Sequence, residues 1–150
     1  MASVGTFSAP KKSEAATRRY WRESRGDPAT VVFAIETLPG EFVGAMDLRD
    51  IADRSRTASL GIAIGKPYWE QGYGTDAVRV ACRFAFREMN LQRIELHVHD
   101  TNPRGMRAYE KVGFRVEGRL RQAHFAGGRR VDTVVMGLLA DELIEDDGAS

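Results

Sequence analysis

The stretch Tyr68-Trp69-Glu70-Gln71-Gly72-Tyr73-Gly74-Thr75-Asp76-Ala77 constrains this chain more than any other. It follows a strand-like run, Ser59-Leu60-Gly61-Ile62-Ala63-Ile64, and leads into a periodic apolar segment, Ala77 to Met89. Two glycines therefore fall where a loop becomes a helix. The first turn of a helix has backbone N–H groups with no internal partner, and the helix dipole puts its positive end in the same place. Residues without side chains let an anion approach those groups closely. The simplest functional reading is a seat for a phosphate or pyrophosphate, made mostly of backbone. A glycine before a helix also serves as no more than a tight turn, so this stretch identifies a ligand only together with a second constellation.

The order of elements around it predicts the fold class. Ser13 to Ser24 reads as a helix with Ala16, Tyr20 and Trp21 toward its buried side, capped by Ser13 and stopped by Gly26-Asp27-Pro28. Thr30 to Glu36 and Glu41 to Leu48 read as strands joined by a Leu38-Pro39-Gly40 turn. Asp50 to Arg56 is a polar connection to a third strand, Thr57 to Gly65. The long helix carries Ala77, Val80, Ala81, Phe84 and Ala85 on one stripe, and Asn90 closes it. Arg93 to His99 alternates cleanly, with Ile94, Leu96 and Val98 on one face and Glu95, His97 and His99 on the other. Asn102-Pro103 opens a helix to Val112, and Gly113 ends it. Phe114 to Phe125 and Arg130 to Leu139 form a closing hairpin about Gly127-Gly128. Antiparallel strands, then strand–helix–strand, then a helix and a hairpin predict a mixed α+β sheet, mostly antiparallel, rather than alternating βα units.

Composition narrows the setting. A chain of 150 residues predicts one domain over residues 1–150, with loose tails at 1–10 and 141–150. The formal net charge of +1, with acidic residues interleaved among the arginines, gives no reason to expect a nucleic-acid partner. The single cysteine, Cys82, lies in the apolar pattern of a helix and suits a reducing compartment. No apolar run is long enough to span a membrane and no signal-peptide core is evident, so the expected location is the cytoplasm.

Gly72-Tyr73-Gly74-Thr75-Asp76-Ala77 also fits the dinucleotide pattern G-x-G-x-x-A, with Glu95 roughly where a ribose-binding acid would stand. Context argues against it. Lys66 to Gln71 intervene between strand and first glycine, Glu95 lies in mid-strand, and a hairpin follows where further βα units should.

The second constellation is Asn102-Pro103-Arg104-Gly105-Met106-Arg107-Ala108-Tyr109-Glu110-Lys111-Val112-Gly113-Phe114. With it, the chain resembles the GNAT-type N-acetyltransferases from about Phe33 to Leu139. Their first motif is a strand, a glycine pyrophosphate turn and a helix; their second is an Asn, a short helix and Tyr-Glu-Lys-x-Gly-Phe. Tyr68-Trp69 with Gly72-Tyr73-Gly74-Thr75, and the ending Gly-Arg-Arg-Val-Asp-Thr-Val-Val-Met-Gly-Leu-Leu, look most like the ribosomal-protein (Rim-type) and spermidine acetyltransferase branch. Three departures accompany the resemblance. Trp69 stands where the wider family often has Arg or Gln, and Gly105 where it has Ser. The strand and helix with which the family begins are also not evident, so either an opening segment is absent or another chain covers the exposed edge.

The resemblance implies acetyl transfer from acetyl-coenzyme A to a primary amine of a protein N-terminus, a polyamine or another small molecule, with no metal. It implies phosphate contacts from Gln71, Gly72, Tyr73, Gly74 and Thr75, and contacts to the pantetheine arm from the backbone of Ile62, Ala63 and Ile64. Asn102 and Arg104 would add further cofactor contacts. Tyr109 becomes the acid that protonates the leaving thiolate; as a helix tyrosine it would otherwise simply fill core. For the base, His97 comes first, since an imidazole of ordinary pKa about 6.5 suits the work, then Glu95 on the same strand face, then Asp47. Water can also relay the proton. A coenzyme A-binding protein without catalysis is the alternative function. An open first edge and an apolar closing hairpin, Phe114–Leu139, predict a homodimer.

Overall fold

Antiparallel ladders run through most of the chain. The computed structural model describes residues 5–8, 18–23, 26–37 and 40–145, the first two stretches by their backbone alone. In chain order the elements are β1 (Gly5–Ser8), β2 (Arg18–Glu23), β3 (Val31–Thr37), β4 (Phe42–Ala52), β5 (Thr57–Ile64), α1 (Tyr73–Arg87), β6 (Arg93–His99), α2 (Pro103–Val112), β7 (Arg115–Ala126) and β8 (Arg129–Leu139). The strands form one eight-stranded sheet in the order β1-β2-β3-β4-β5-β6-β8-β7. Every pairing is antiparallel except β5 with β6. This is the mixed, mostly antiparallel α+β sheet that the element order predicts.

The helix expected over Ser13–Ser24 is not what forms. Arg18–Glu23 is a strand that pairs with β3, Tyr20 opposite Ile35 and Trp21 opposite Ala34. Two adjacent aromatics favour a strand, and the edge of β3 supplies backbone partners that a helix would leave unused. The edge expected to lie open, or to be covered by another chain, is therefore covered by β2 and β1 of this one. Gly5–Ser8, expected to belong to a loose tail, is a strand as well. Ser13, Ala16, Leu38 and Pro39 lie outside the described residues.

Two boundaries move with consequences for the site. β4 runs on through the expected polar connection because Ile51 N–H donates to Ala29 O at 3.1 Å and Ala52 pairs with Thr57 across a bulge. α1 begins at Tyr73 rather than Ala77, which draws Gly74 and Thr75 into its first turn.

The core lies between the helices and one sheet face. Ala77, Ala81 and Ala85 of α1 are fully buried, with Leu60 of β5 and Ile94 and Leu96 of β6 in the same cluster. Small alanines let the helix sit close to the sheet, while Phe84 meets Phe33 edge-on at 6.2 Å. Cys82 is fully buried and burial pushes its thiol far up, so it is core rather than nucleophile. The segment from Asp141, expected to fray, is instead tied down as far as Glu145. Ile144 N–H donates to Val112 O at 2.9 Å, and Glu145 accepts from Arg83 at 2.8 Å and Arg87 at 2.7 Å. Beneath it Arg79, only 4% exposed, reaches Ile144 O at 2.9 Å and Lys111 O at 3.3 Å.

The parallel pair is where the sheet opens. β5 and β6 are in register only from Thr57↔Arg93 to Leu60↔Leu96. Beyond that point β5 continues to Ile64 against β4 alone, and β6 continues to His99 against β8 alone. The result is a slot between the two strands, with α1 and α2 starting beside its open end.

Candidate active site

Three elements, with the stretch Tyr68–Glu70 between β5 and α1, supply the walls of a cleft of about 610 Å³ at this slot. Ile62, Ala63 and Ile64 come from the freed end of β5; Gly72, Gly74 and Thr75 from the start of α1; Asn102, Arg104 and Tyr109 from α2 and its cap. All nine are residues that the sequence proposes for a cofactor or for catalysis. The size falls within the usual range for a small-molecule site, roughly 300–1,000 Å³.

The start of α1 is built for an anion. Gly72, with φ +84°, adopts a left-handed conformation suited to glycine, and no side chain caps this end among the described residues. The first helical bond runs from Asp76 N–H to Gly72 O at 3.0 Å, which leaves the amides ahead of it directed along the axis toward the cleft. Gly74 has Ile64 Cγ1 as the nearest neighbour of an added Cβ, at 3.8 Å, so its lack of a side chain keeps the helix start open rather than relieving a clash. Gln71 and Tyr73 do not line the cleft. The Gln71 amide donates to Pro67 O at 3.0 Å, and the buried Tyr73 ring packs edge-on against Tyr68 at 6.2 Å. What these two offer a ligand is backbone.

Trp69 and Gly105, both departures from the wider pattern, have structural reasons here. The indole N–H donates to Ile64 O at 2.8 Å, anchoring Trp69 to the end of β5. Arg104 lies across its ring with the guanidinium carbon 3.8 Å from the centroid, a cation–π contact between the loop and α2. Gly105 gives Asn102 room to cap α2. Asn102 Oδ1 accepts from Gly105 N–H at 3.0 Å, and a Cβ at 105 would lie 2.5 Å from Asn102 Nδ2. Asn102 Oδ1 is thus engaged by the helix, and its Nδ2 is the group left to donate to a ligand.

Tyr109 is half-buried, its ring 6.1 Å from that of Phe114. Burial pushes its phenol above the ordinary value, so the hydroxyl keeps its proton throughout the neutral range.

His97 and Glu95 are brought together, but not into this cleft. Because Leu96 and Val98 face the helices, alternation turns Glu95 and His97 to the opposite sheet face. There Glu95 accepts from Arg93 at 2.5 Å and lies 3.1 Å from His97 Nε2, while Arg93 also donates to Glu117 at 2.8 Å. Partial burial pushes the Glu95 carboxyl up, but the hydrogen bonds and charges of His97 and Arg93 together outweigh it and hold the group below its usual value. Asp47 is on the same face, opposite Gly61 of β5, with Arg49 Nε 3.2 Å from its Oδ1. Among the lining residues that the sequence did not assign to the site, Arg107 and Lys111 carry charge from α2. Their spacing from Arg104, three and then four residues, was the available signal; without the docking of α2 it reads as a solvated helix face.

With this geometry in place, comparison with known proteins identifies the family. The model of the acetyltransferase (GNAT) domain matches residues 2–115. The chain belongs to the GNAT acetyltransferase family. It is 28% identical over 138 residues to the spermidine N(1)-acetyltransferase of Vibrio cholerae, covering 92% of this chain and 80% of that protein. To the SPbeta prophage-derived uncharacterized N-acetyltransferase YokL of Bacillus subtilis it is 27% identical over 124 residues, covering 83% of this chain and 70% of the relative. The crystal structure of the Vibrio cholerae spermidine N-acetyltransferase with CoA and spermine superposes with a TM-score of 0.75 at 30% identity, covering 79% of this chain and 70% of that one. This GNAT protein is accordingly an N-acetyltransferase that takes its acetyl group from acetyl-coenzyme A and passes it to an amine.

Proposed function

We propose that residues 1–150 act as one acyltransferase domain, with acetyl-coenzyme A in the cleft on the helix side and the amine approaching the slot from the opposite sheet face. The observation that carries this reading is the convergence of the α1 start, the β5 backbone at Ile62–Ile64 and Tyr109 on one cleft where β5 and β6 part. When bound, acetyl-coenzyme A supplies an acyl group already activated as a thioester. The chain's own groups position and polarise it. Amides of Gly72–Thr75 hold the pyrophosphate, Arg104 and Asn102 Nδ2 add polar contacts, and backbone N–H groups of Ile62–Ile64 steady negative charge on the acyl oxygen. Tyr109 Oη gives its proton to the departing sulfur.

On the other face, His97 is the base. With Nε2–H donating to Glu95, Nδ1 keeps the lone pair that takes the proton of the incoming ammonium. Glu95, held ionised, fixes the ring and is the second candidate; Asp47 is the third. Direct attack by the amine then needs no covalent link to the protein.

The acceptor is a small-molecule amine, with polyamines favoured over a protein N-terminus because of the relative that acts on spermidine and the neighbour solved with spermine. A cytoplasmic setting suits the single buried cysteine, and no described helix is long and apolar enough to cross a membrane. The balanced charge argues against nucleic acid as a partner. A homodimer formed at edge strand β7 fits the exposure of Val116, Leu120 and, at 64%, Phe125, and light scattering should give twice the chain mass.

A coenzyme A-binding protein without catalysis is the second reading, favoured by one fact: His97 and Glu95 hold each other and neither lines the cleft. Thioester consumption measured against spermidine, spermine, amino acids and a peptide N-terminus separates the two. Binding of acetyl-coenzyme A with no turnover on any of these amines would establish the second reading.

A further inference from the structure

Left-handed backbone occurs twice in the three residues that lead into α1, at Glu70 with φ +62° and at Gly72 with φ +84°. Gly72 has no Cβ and adopts it freely, whereas at Glu70 the Cβ is crowded by the following carbonyl oxygen. Asn or Asp tolerates this region better than Glu, because a short polar side chain can bond locally. Glu70 has no such compensation, since no hydrogen bond or ion pair joins its carboxylate to another described residue.

Electrostatics add a second cost at the same position. Glu70 is exposed and is the one acid among the residues lining the cleft, whose other charges are Arg104, Arg107 and Lys111. Asp76, the acid in the first turn of α1, does not line it. Consecutive Cα atoms stand about 3.8 Å apart, so those of Glu70 and Gly72 are separated by no more than about 7.6 Å. That is inside the Debye length of about 8 Å at physiological ionic strength. A negative charge there opposes any anion seated on the amides of Gly72–Thr75. For the backbone and for anion binding alike, glycine would serve better than glutamate at this position.

We propose that Glu70 sets the affinity of the cofactor by weakening it. Its carboxylate repels the pyrophosphate, and acetyl-coenzyme A and the product coenzyme A carry the same phosphates, so both leave the cleft faster. The residue thus acts on residence time and not on acyl chemistry. The inference rests on the pyrophosphate seat at the start of α1, and the test separates the two claims.

Isothermal titration with coenzyme A should show Glu70→Gln binding about two- to tenfold more tightly than the wild type, a gain that shrinks as salt is added. Stopped-flow displacement should place the gain in slower dissociation. Gln matches Glu in shape and the site is exposed, so the fold should persist. Glu70→Asp keeps the charge and should keep wild-type affinity. Glu70→Gly loses both charge and strain, so it should match Glu70→Gln in affinity and exceed it in urea midpoint. Equal or weaker binding by Glu70→Gln overturns the proposal; weaker binding would mean that the carboxylate accepts a hydrogen bond from the cofactor. A gain confined to Glu70→Gly also overturns it, because strain and not charge would then set the affinity. If neither the wild type nor Glu70→Gln binds coenzyme A, the proposal falls together with the pyrophosphate seat.

Discussion

On the helix side of the slot, the groups offered to a ligand are largely backbone: the amides at the start of α1 and the freed end of β5. On the opposite side they are side chains already bound to one another, Glu117 to Arg93, Arg93 to Glu95, and Glu95 to His97. The two halves should therefore fail in opposite ways. Backbone groups cannot be deleted by substitution, only obstructed, so the pyrophosphate seat on the helix side is broken by adding atoms. The other face is broken by removing them, and its groups titrate where amides do not.

The largest effect should follow from obstruction. Gly74→Asp puts a carboxylate at the helix start without a steric cost to the fold, because the space beside Gly74 is open to 3.8 Å. Acetyl-coenzyme A binding should be abolished through clash and like-charge repulsion. A titration in which the folded variant keeps wild-type affinity would remove the pyrophosphate seat from α1.

Tyr109→Phe comes next and sharpens the contrast, since it deletes one atom from a half whose pyrophosphate and acyl-oxygen contacts are otherwise backbone. Cofactor affinity should hold while kcat falls by about 10²–10⁴-fold. The wild-type rate should fall on the alkaline side only above the ordinary tyrosine value of about 10, because burial raises this phenol and the acid must be protonated to work. A variant within threefold of wild type would discard the tyrosine as acid.

A smaller loss is expected from His97→Ala. Its side chain is 51% exposed, so water can take over part of the proton transfer, and the fall should be near tenfold with the acidic limb of the pH–rate profile flattened. An unchanged limb would transfer the base to Glu95, Asp47 or water.

The smallest effect belongs to Glu95→Gln and is read in stability. A carboxyl held below its unfolded value stabilises the fold above that value, about 4.3, and loses the contribution as pH falls through the lower folded value. The wild type should thus exceed the variant in urea midpoint at pH 7 and converge on it toward pH 3. A gap that stays constant with pH would mean the carboxylate contributes packing, not charge.

Legibility in the sequence followed local punctuation. The strand Arg93–His99 and the helix Pro103–Val112 form as read, residue for residue, because strict alternation and the Asn102-Pro103 and Gly113 signals act within a few residues. Arg18–Glu23 was misread because its state is decided by the edge of β3, distant in sequence, and not by its own weak helical pattern. The same division applies to the site. Gly72, Gly74, Asn102 and Tyr109 stand in motifs, and the fold brings all four to one cleft. The Trp69–Arg104 stack and the Arg107–Lys111 flank depend on how α2 docks, which no local pattern encodes. The alternation of β6 already set His97 opposite Leu96 and Val98, but only the packed helices decide which of those faces holds the cleft.

The parting of β5 from β6 also leaves a signature in solvent exchange. From Gly61 to Ile64, β5 is laddered on one side only, against β4, so alternate amides in this short run point into the slot instead of to a neighbouring strand. Those amides should trade hydrogen for deuterium much faster than the ones at Thr57–Leu60, giving a strand that is protected at one end and permeable at the other. Filling the slot with the pantetheine arm should slow the fast set and leave the slow set unchanged, so that the strand itself reports occupancy.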